Sequence, residues 1–174
     1  MPNFNKTPDF LKMAQGLKKD AVRFASVAGV EFFKDSFHKQ GFTDTSFQGW
    51  PQRKDDVDPG RKILIKSAFL MNSIQVFSAS GKQIVFGSDA EYAEIHNSGG
   101  TVSIPITPKS KKYFWFMFKA TGNTMWKALA LTKKGSITVN IPKRQFIGHS
   151  KTLMDSLDTW LVNEIEKRFK THLK

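Results

Sequence analysis

Apolar residues spaced by three and four open the chain. Phe10, Met13, Ala14, Leu17, Ala21, Phe24, Ala25 and Ala28 share one side of a helix, while Lys12, Lys18, Lys19 and Arg23 lie mostly elsewhere. Thr7-Pro8-Asp9 supplies its start: a Thr that caps free N–H groups, a Pro preset for the first turn and an Asp favoured by the helix dipole. Gly29 predicts a kink or break, after which Phe32, Phe33 and Phe37 continue the stripe to Gly41, read as the residue just past the helix end. The clearest period comes last, where Leu153, Leu157, Trp160, Leu161, Ile165 and Phe169 form one face of a terminal helix capped by Ser150.

Between these helices the pattern shortens. Residues 43–60 are polar and aperiodic, with Pro51, Asp55, Asp56, Asp58 and Pro59-Gly60, and read as an exposed loop anchored by Trp50 or ordered by a neighbouring molecule. Lys62 to Asn72 reads as a short buried helix, its isoleucines leaving a strand open. Strands at 73–78 and 83–87 flank Ala79-Ser-Gly-Lys, a hairpin in which Gly81 is assigned the positive φ of a tight turn. Ser88-Asp-Ala-Glu91 has capping-box spacing for a short helix carrying Tyr92, Ala93, Ile95 and His96, which stops by Gly99-Gly100. Thr107-Pro108 repeats the capped start, so Lys109–Lys119 reads as helix, although its aromatic density also suits a strand. Ile137–Ile141 alternates as a strand and ends at Pro142. The sum predicts an α+β single domain over 1–174, with N- and C-terminal amphipathic helices packed on a small, mostly antiparallel β-sheet.

Charge changes this picture more than composition does. The 174 residues carry a formal net charge of +12, distributed unevenly. Residues 1–94 hold 13 Lys/Arg against 11 Asp/Glu and residues 155–174 hold four of each, whereas residues 95–154 hold ten Lys/Arg and no acid. Such a block attracts polyanions or an acidic protein surface, unless it is only a solvated face. With no Cys, thiolate chemistry and disulfides are excluded. The N-terminus lacks a signal-peptide pattern and no stretch approaches the ~20 apolar residues of a membrane span, so the expectation is a soluble protein made in a cytoplasm, without membrane contact.

A search for chemistry returns little. His38, His96, His149 and His172 are far apart, and none has metal-ligand spacing. His96-Asn97 resembles the His-Asn pair of a nuclease, but no second ligand or base accompanies it; the simpler reading is that the pair caps the short helix and bonds around Gly99-Gly100. Ser80-Gly-Lys82 lacks the other elements of a phosphate loop, and Asp89, Glu91 and Glu94 fit a capped helix start. The aromatic run 113–118 could stack bases but reads more readily as core. The expectation is therefore no catalytic residue, no metal and no cofactor.

Several segments together resemble the phage virion morphogenesis proteins, the tail-completion and neck proteins of Mu-like and P2-like tailed phages. They are Phe33 with Phe37 and Gln40-Gly-Phe42; Trp50 and Arg53; Arg61–Ile74, with Ser67 and Leu70; Gly87–Gly100, with Tyr92, His96, Asn97, Gly99 and Gly100; and Ile141-Pro-Lys-Arg-Gln-Phe-Ile-Gly148, with Pro142, Arg144, Phe146 and Gly148. The family pattern usually has Gly where this chain has Ala68, and often Pro where it has Gln145, two departures that bear on local turn geometry. The resemblance implies a non-enzymatic structural protein at the head-tail junction, assembled in the bacterial host cytoplasm and carried in the virion. Its implied partners are head connector and/or tail tube proteins, further copies in a homo-oligomeric ring, and phage DNA in the channel. On that reading Lys109, Lys111, Lys112, Lys133, Lys134, Lys143 and Arg144 are candidates to face DNA or an acidic partner; the alternative is a nucleic-acid-binding module using the same segment.

Overall fold

A computed structural model describes residues 9–53 and 60–172. The long N-terminal periodicity becomes one uninterrupted helix, α1 (Phe10–Lys39), in which Asp9 caps by accepting from the Lys12 amide at 3.0 Å. Thr7 and Pro8, assigned to its start, lie outside the described residues. Gly29 does not break the helix as expected. It is buried where the Phe86 ring crosses α1, and a Cβ there would come within 2.3 Å of that ring, so its role is close approach rather than flexibility.

The helix ends one residue earlier than the sequence suggests. Gln40, not Gly41, takes the left-handed conformation, at φ 61°. Its side chain offsets the cost: Oε1 accepts from the Ile63 amide at 2.5 Å while Nε2 donates to the Phe37 carbonyl at 2.6 Å. Gly41 instead begins β1 (Gly41–Thr43), which pairs antiparallel with β2 (Phe47–Gly49). Residues 44–49 are thus exposed but folded as a hairpin, and Trp50 is buried. The rest of that stretch, residues 54–59, lies outside the described residues.

Residues 62–72 correct the helix expectation most sharply. Only α2 (Phe69–Asn72) is helical. Leu64 and Ala68 both have positive φ, 59° and 56°, which no continuous α-helix accommodates, and the turns they create let Ile63 and Leu70 both reach the core. The following hairpin forms as expected, with β3 (Ile74–Ala79) against β4 (Ile84–Ser88) and a bulge between Val76 and Ser78. Its turn uses no positive φ at Gly81; the Ser80 hydroxyl accepts from the Lys82 and Gln83 amides instead. The short helix α3 (Ala93–Ser98) starts later than the capping box implied, because the Ser88 hydroxyl accepts from the Ala90 amide and is spent on the preceding turn.

Backbone contacts group the chain into two compact units: the described residues up to Ser98 together with those from Lys143 onward, and an insertion, Gly99–Pro142. In the first, α1, β3 and β4 enclose a core of Phe33, Phe37, Phe42, Trp50, Ile63, Leu70, Ile74 and Phe146, closed by the terminal helix α6 (Lys151–His172) through Leu153. Phe24 stacks on Trp160 with centroids 4.3 Å apart, and Arg168 pairs with Asp20 at 2.5 Å, so apolar and ionic contacts both hold α6 to α1.

The insertion is β5 (Gly100–Pro105), α4 (Pro108–Thr121), α5 (Thr124–Leu131) and β6 (Ser136–Ile141). Its strands pair antiparallel from Gly100 opposite Ile141 to Pro105 opposite Ser136. Thr107 and Ser110 form a reciprocal capping box at the start of α4, which settles 109–119 as helix. The α+β expectation holds, with the small sheet realised as three separate antiparallel ladders.

Ala68 occupies a left-handed position that Gly occupies without strain. Ala68→Gly is expected to raise stability by roughly 0.5–1 kcal/mol in a urea titration, the relief of Cβ strain exceeding the added freedom of the unfolded chain. A lowered midpoint would show that the Ala68 methyl contributes packing that outweighs its strain.

Candidate functional site

The residues that carry the sequence motifs converge on one seam. Where the chain returns from the insertion, the Arg144 amide donates to the His96 carbonyl at 2.8 Å. One residue further on from His96, the Asn97 side chain acts as a clamp. Its Oδ1 accepts from the Phe146 and Ile147 amides at 2.8 and 2.9 Å, and its Nδ2 donates to the Ile147 carbonyl at 3.0 Å. This differs from the expected bonding around Gly99-Gly100, which instead serve as a pair of positive-φ residues, at 72° and 149°.

The same returning segment is also laced to the region of β1 and beyond. Trp50 donates its indole N–H to the Gln145 carbonyl at 2.7 Å and sets its ring against Phe37 with centroids 5.3 Å apart. The Arg144 guanidinium donates to the Pro51 carbonyl through Nε at 3.1 Å and Nη2 at 2.9 Å. Ser150 donates to the Thr43 carbonyl at 2.8 Å, and the Asp44 carboxylate accepts from the Lys151 amide at 2.8 Å, where the helix dipole favours an anion. Phe146, fully buried, fills the centre of the seam and lies 5.1 Å from Phe37 by ring centroids.

Other motif residues support its borders. Arg53 donates to the Lys62 carbonyl at 2.8 Å, Leu70 is core, and the Ser67 hydroxyl lies 3.5 Å from the Phe69 amide at the start of α2. Tyr92 sets its half-exposed ring edge-on to His96, with centroids 5.9 Å apart. At Gly148 a Cβ would meet the end of the flexible Gln145 side chain. Pro142 follows β6 and is exposed.

The same geometry redistributes the candidate cations. Arg144 does not face a partner: it is buried, and its guanidinium is committed to Pro51. Lys111 is partly buried and donates to the Thr132 carbonyl at 2.9 Å. Lys109, Lys112, Lys133 and Lys134 are exposed on the insertion, and Lys143 is exposed on the other unit. The aromatic run divides as well. Phe114 stacks on Trp126 at 5.9 Å, whereas Tyr113 and Phe116 are more than half exposed, so only part of the run serves as core.

These motifs, in this order, follow one recognised pattern. The sequence pattern of the phage virion morphogenesis family matches residues 40–166. The chain belongs to that family. Comparison with curated proteins and with solved structures returned no match. Family membership gives the protein a structural, morphogenetic role in a phage. The matched region contains the whole insertion and the seam, and it stops within α6. Among the described residues no group of three or more His, Cys, Asp or Glu could hold a metal ion, and no helix is long and apolar enough to cross a membrane.

His96 is held neutral within this family motif. Its Nδ1 is buried without a hydrogen-bond partner, and burial, followed by the nearby Arg144 charge, lowers its pKa below the ordinary histidine value. The unfolded chain therefore binds a proton that the folded chain refuses, and stability falls as pH drops below about 6.5. His96→Phe is expected to flatten this dependence between pH 7.5 and 5.5 in urea midpoints; an unchanged slope would place the titrating group elsewhere. Asn97→Ala leaves the Phe146 and Ile147 backbone groups without their partner and is expected to cost about 2–3 kcal/mol in the same assay.

Proposed function

We propose that this protein is a non-enzymatic component that completes the head-tail junction of a tailed phage, acting at the tail or neck in several symmetric copies and remaining in the virion. It is assembled in the bacterial host cytoplasm and meets head connector and/or tail tube proteins, with phage DNA passing nearby. The observation that carries this reading is the use made of the family motifs. Trp50, Asn97, Arg144 and Phe146 are spent on holding the chain together, and the segment between Asn97 and Arg144 forms an acid-free unit with seven lysines. A surface of that composition suits an acidic connector or a DNA-filled channel.

A second reading, a nucleic-acid-binding module, is favoured by the exposed rings that lie among those lysines. The two separate cleanly. Deleting the gene from the source phage or prophage is expected to yield separate heads and tails, or malformed junctions, in electron micrographs. Normal infectious virions would overturn the structural reading, and salt-sensitive binding of the purified protein to DNA would then favour the second.

A further inference from the structure

The insertion is poorly covered. Among its residues only Ala130 is buried, and α4 buries none of its own side chains. At 100° per residue, Lys109, Lys112, Tyr113, Phe116 and Lys119 share one side of α4, with Trp115 at its margin and the Tyr113 ring also edge-on to Trp126 of α5. Tyr113 is 52% exposed and Phe116 65% exposed, so the face is an aromatic patch set among three cations. Exposed apolar surface of this kind marks an interaction site, and its charge requires an acidic partner.

The other unit presents the opposite pattern. From Leu153 to Glu166, α6 carries four acids and no base. Beside it, α1 and α6 bound an open groove of about 560 Å³. Phe32 and Leu153 supply apolar walls and Glu31 and Asp35 supply carboxylates, with Lys34 and His38 also at its edge. Asp35 and Asp155 are paired with Lys39 and Lys151 on their own helices, whereas Glu31 and Asp158 have no ion pair among the described residues.

We infer that α4 of one copy docks against the α1–α6 groove of another copy, Phe116 and Tyr113 entering the groove while the α4 lysines meet Glu31. A duplex backbone would satisfy the lysines but leave Phe116 in water. A second copy of the chain supplies both the carboxylates and the apolar walls. The two faces differ, so each copy gives one and receives the other, the condition for a closed ring or a reciprocal pair. The inference rests on the proposed function only for the presence of several copies, and it is tested on the purified full-length chain without phage particles.

Sedimentation velocity over a micromolar concentration series, at near-physiological salt, is the measurement. The wild type is expected to self-associate. Lys112→Glu with Lys119→Glu, and separately Glu31→Lys, are each expected to weaken association about tenfold or more with an unchanged circular dichroism spectrum. Phe116→Ser is expected to weaken it without any change of charge. An equimolar mixture of the two charge-reversed proteins restores complementary faces and is expected to recover association, which misfolded variants would not do. A wild type that stays monomeric, variants that associate normally, or a mixture that fails to recover would each overturn the contact. So would loss of binding to a double-stranded DNA oligonucleotide in the α4 variant with self-association intact. Separate heads and tails in the deletion strain alongside a monomeric wild type would retain the junction role and remove only this contact.

Discussion

Three hydrogen bonds from one side-chain amide set the constraint on which the rest of the fold depends. The chain leaves the first unit after Ser98 and returns at Lys143, and the Asn97 amide grips Phe146 and Ile147 across that gap. Closing so long an excursion costs chain entropy, and the cost is met by the β5–β6 ladder that pairs Gly100 with Ile141 and, in the first unit, by Asn97, the His96 carbonyl and the ring of Phe146. The returning segment can then thread between Trp50 and Pro51 on one side and Thr43 and Asp44 beyond, and deliver α6 to its place against α1. Acceptors as directional as these are best supplied by an amide, which donates and accepts from one short side chain. An aspartate at position 97 would keep the two acceptor contacts and lose the donor to Ile147.

The seam also accounts for how the chain tolerates its departures from the family pattern. Gln145 stands where proline is common, and the group it contributes to Trp50 is its backbone carbonyl, which proline also possesses. Ala68 stands where glycine is usual and must adopt φ 56° for Leu70 to reach the core. One substitution is therefore neutral to the contact that matters, and the other carries local strain that the surrounding core sustains.

Much of this was legible in the sequence, and the gaps have identifiable causes. The terminal helices, the hairpin at 74–88 and the capped helix at 108 follow from period and capping chemistry, which are local. Residues 62–72 were misread because an apolar run with helical spacing says nothing of φ. Leu64 and Ala68 take positive φ just after Ile63, whose backbone is held by Gln40 from more than twenty residues away. Gly29 was misread for the same reason, its partner Phe86 lying far along the chain. Arg144 looked like a surface cation because it sits in a basic block, and only the tertiary position of the Pro51 carbonyl shows it to be internal. The resemblance marked Asn97 and Trp50 as important, but what each holds was visible only once residues 95 positions apart, or nearly 50, had been brought together.

The insertion is the part of the molecule that folding alone explains least. Seven lysines without an acid repel one another, and the unit buries only one residue fully. What opposes that repulsion is modest: a six-residue ladder, the Thr107 and Asn123 caps, the Phe114–Trp126 stack, the Lys111 bond to Thr132, and Lys127 placed 5.7 Å over the Phe118 ring. None of these needs Lys109, Lys112 or Lys119 to be charged, nor Tyr113 and Phe116 to face outward. Stability would be served better by glutamates among the lysines and by polar residues in place of the exposed rings. A unit composed against its own stability, in a chain whose family motif residues are consumed elsewhere, has a composition that the proposed acidic neighbour would account for and that folding alone does not.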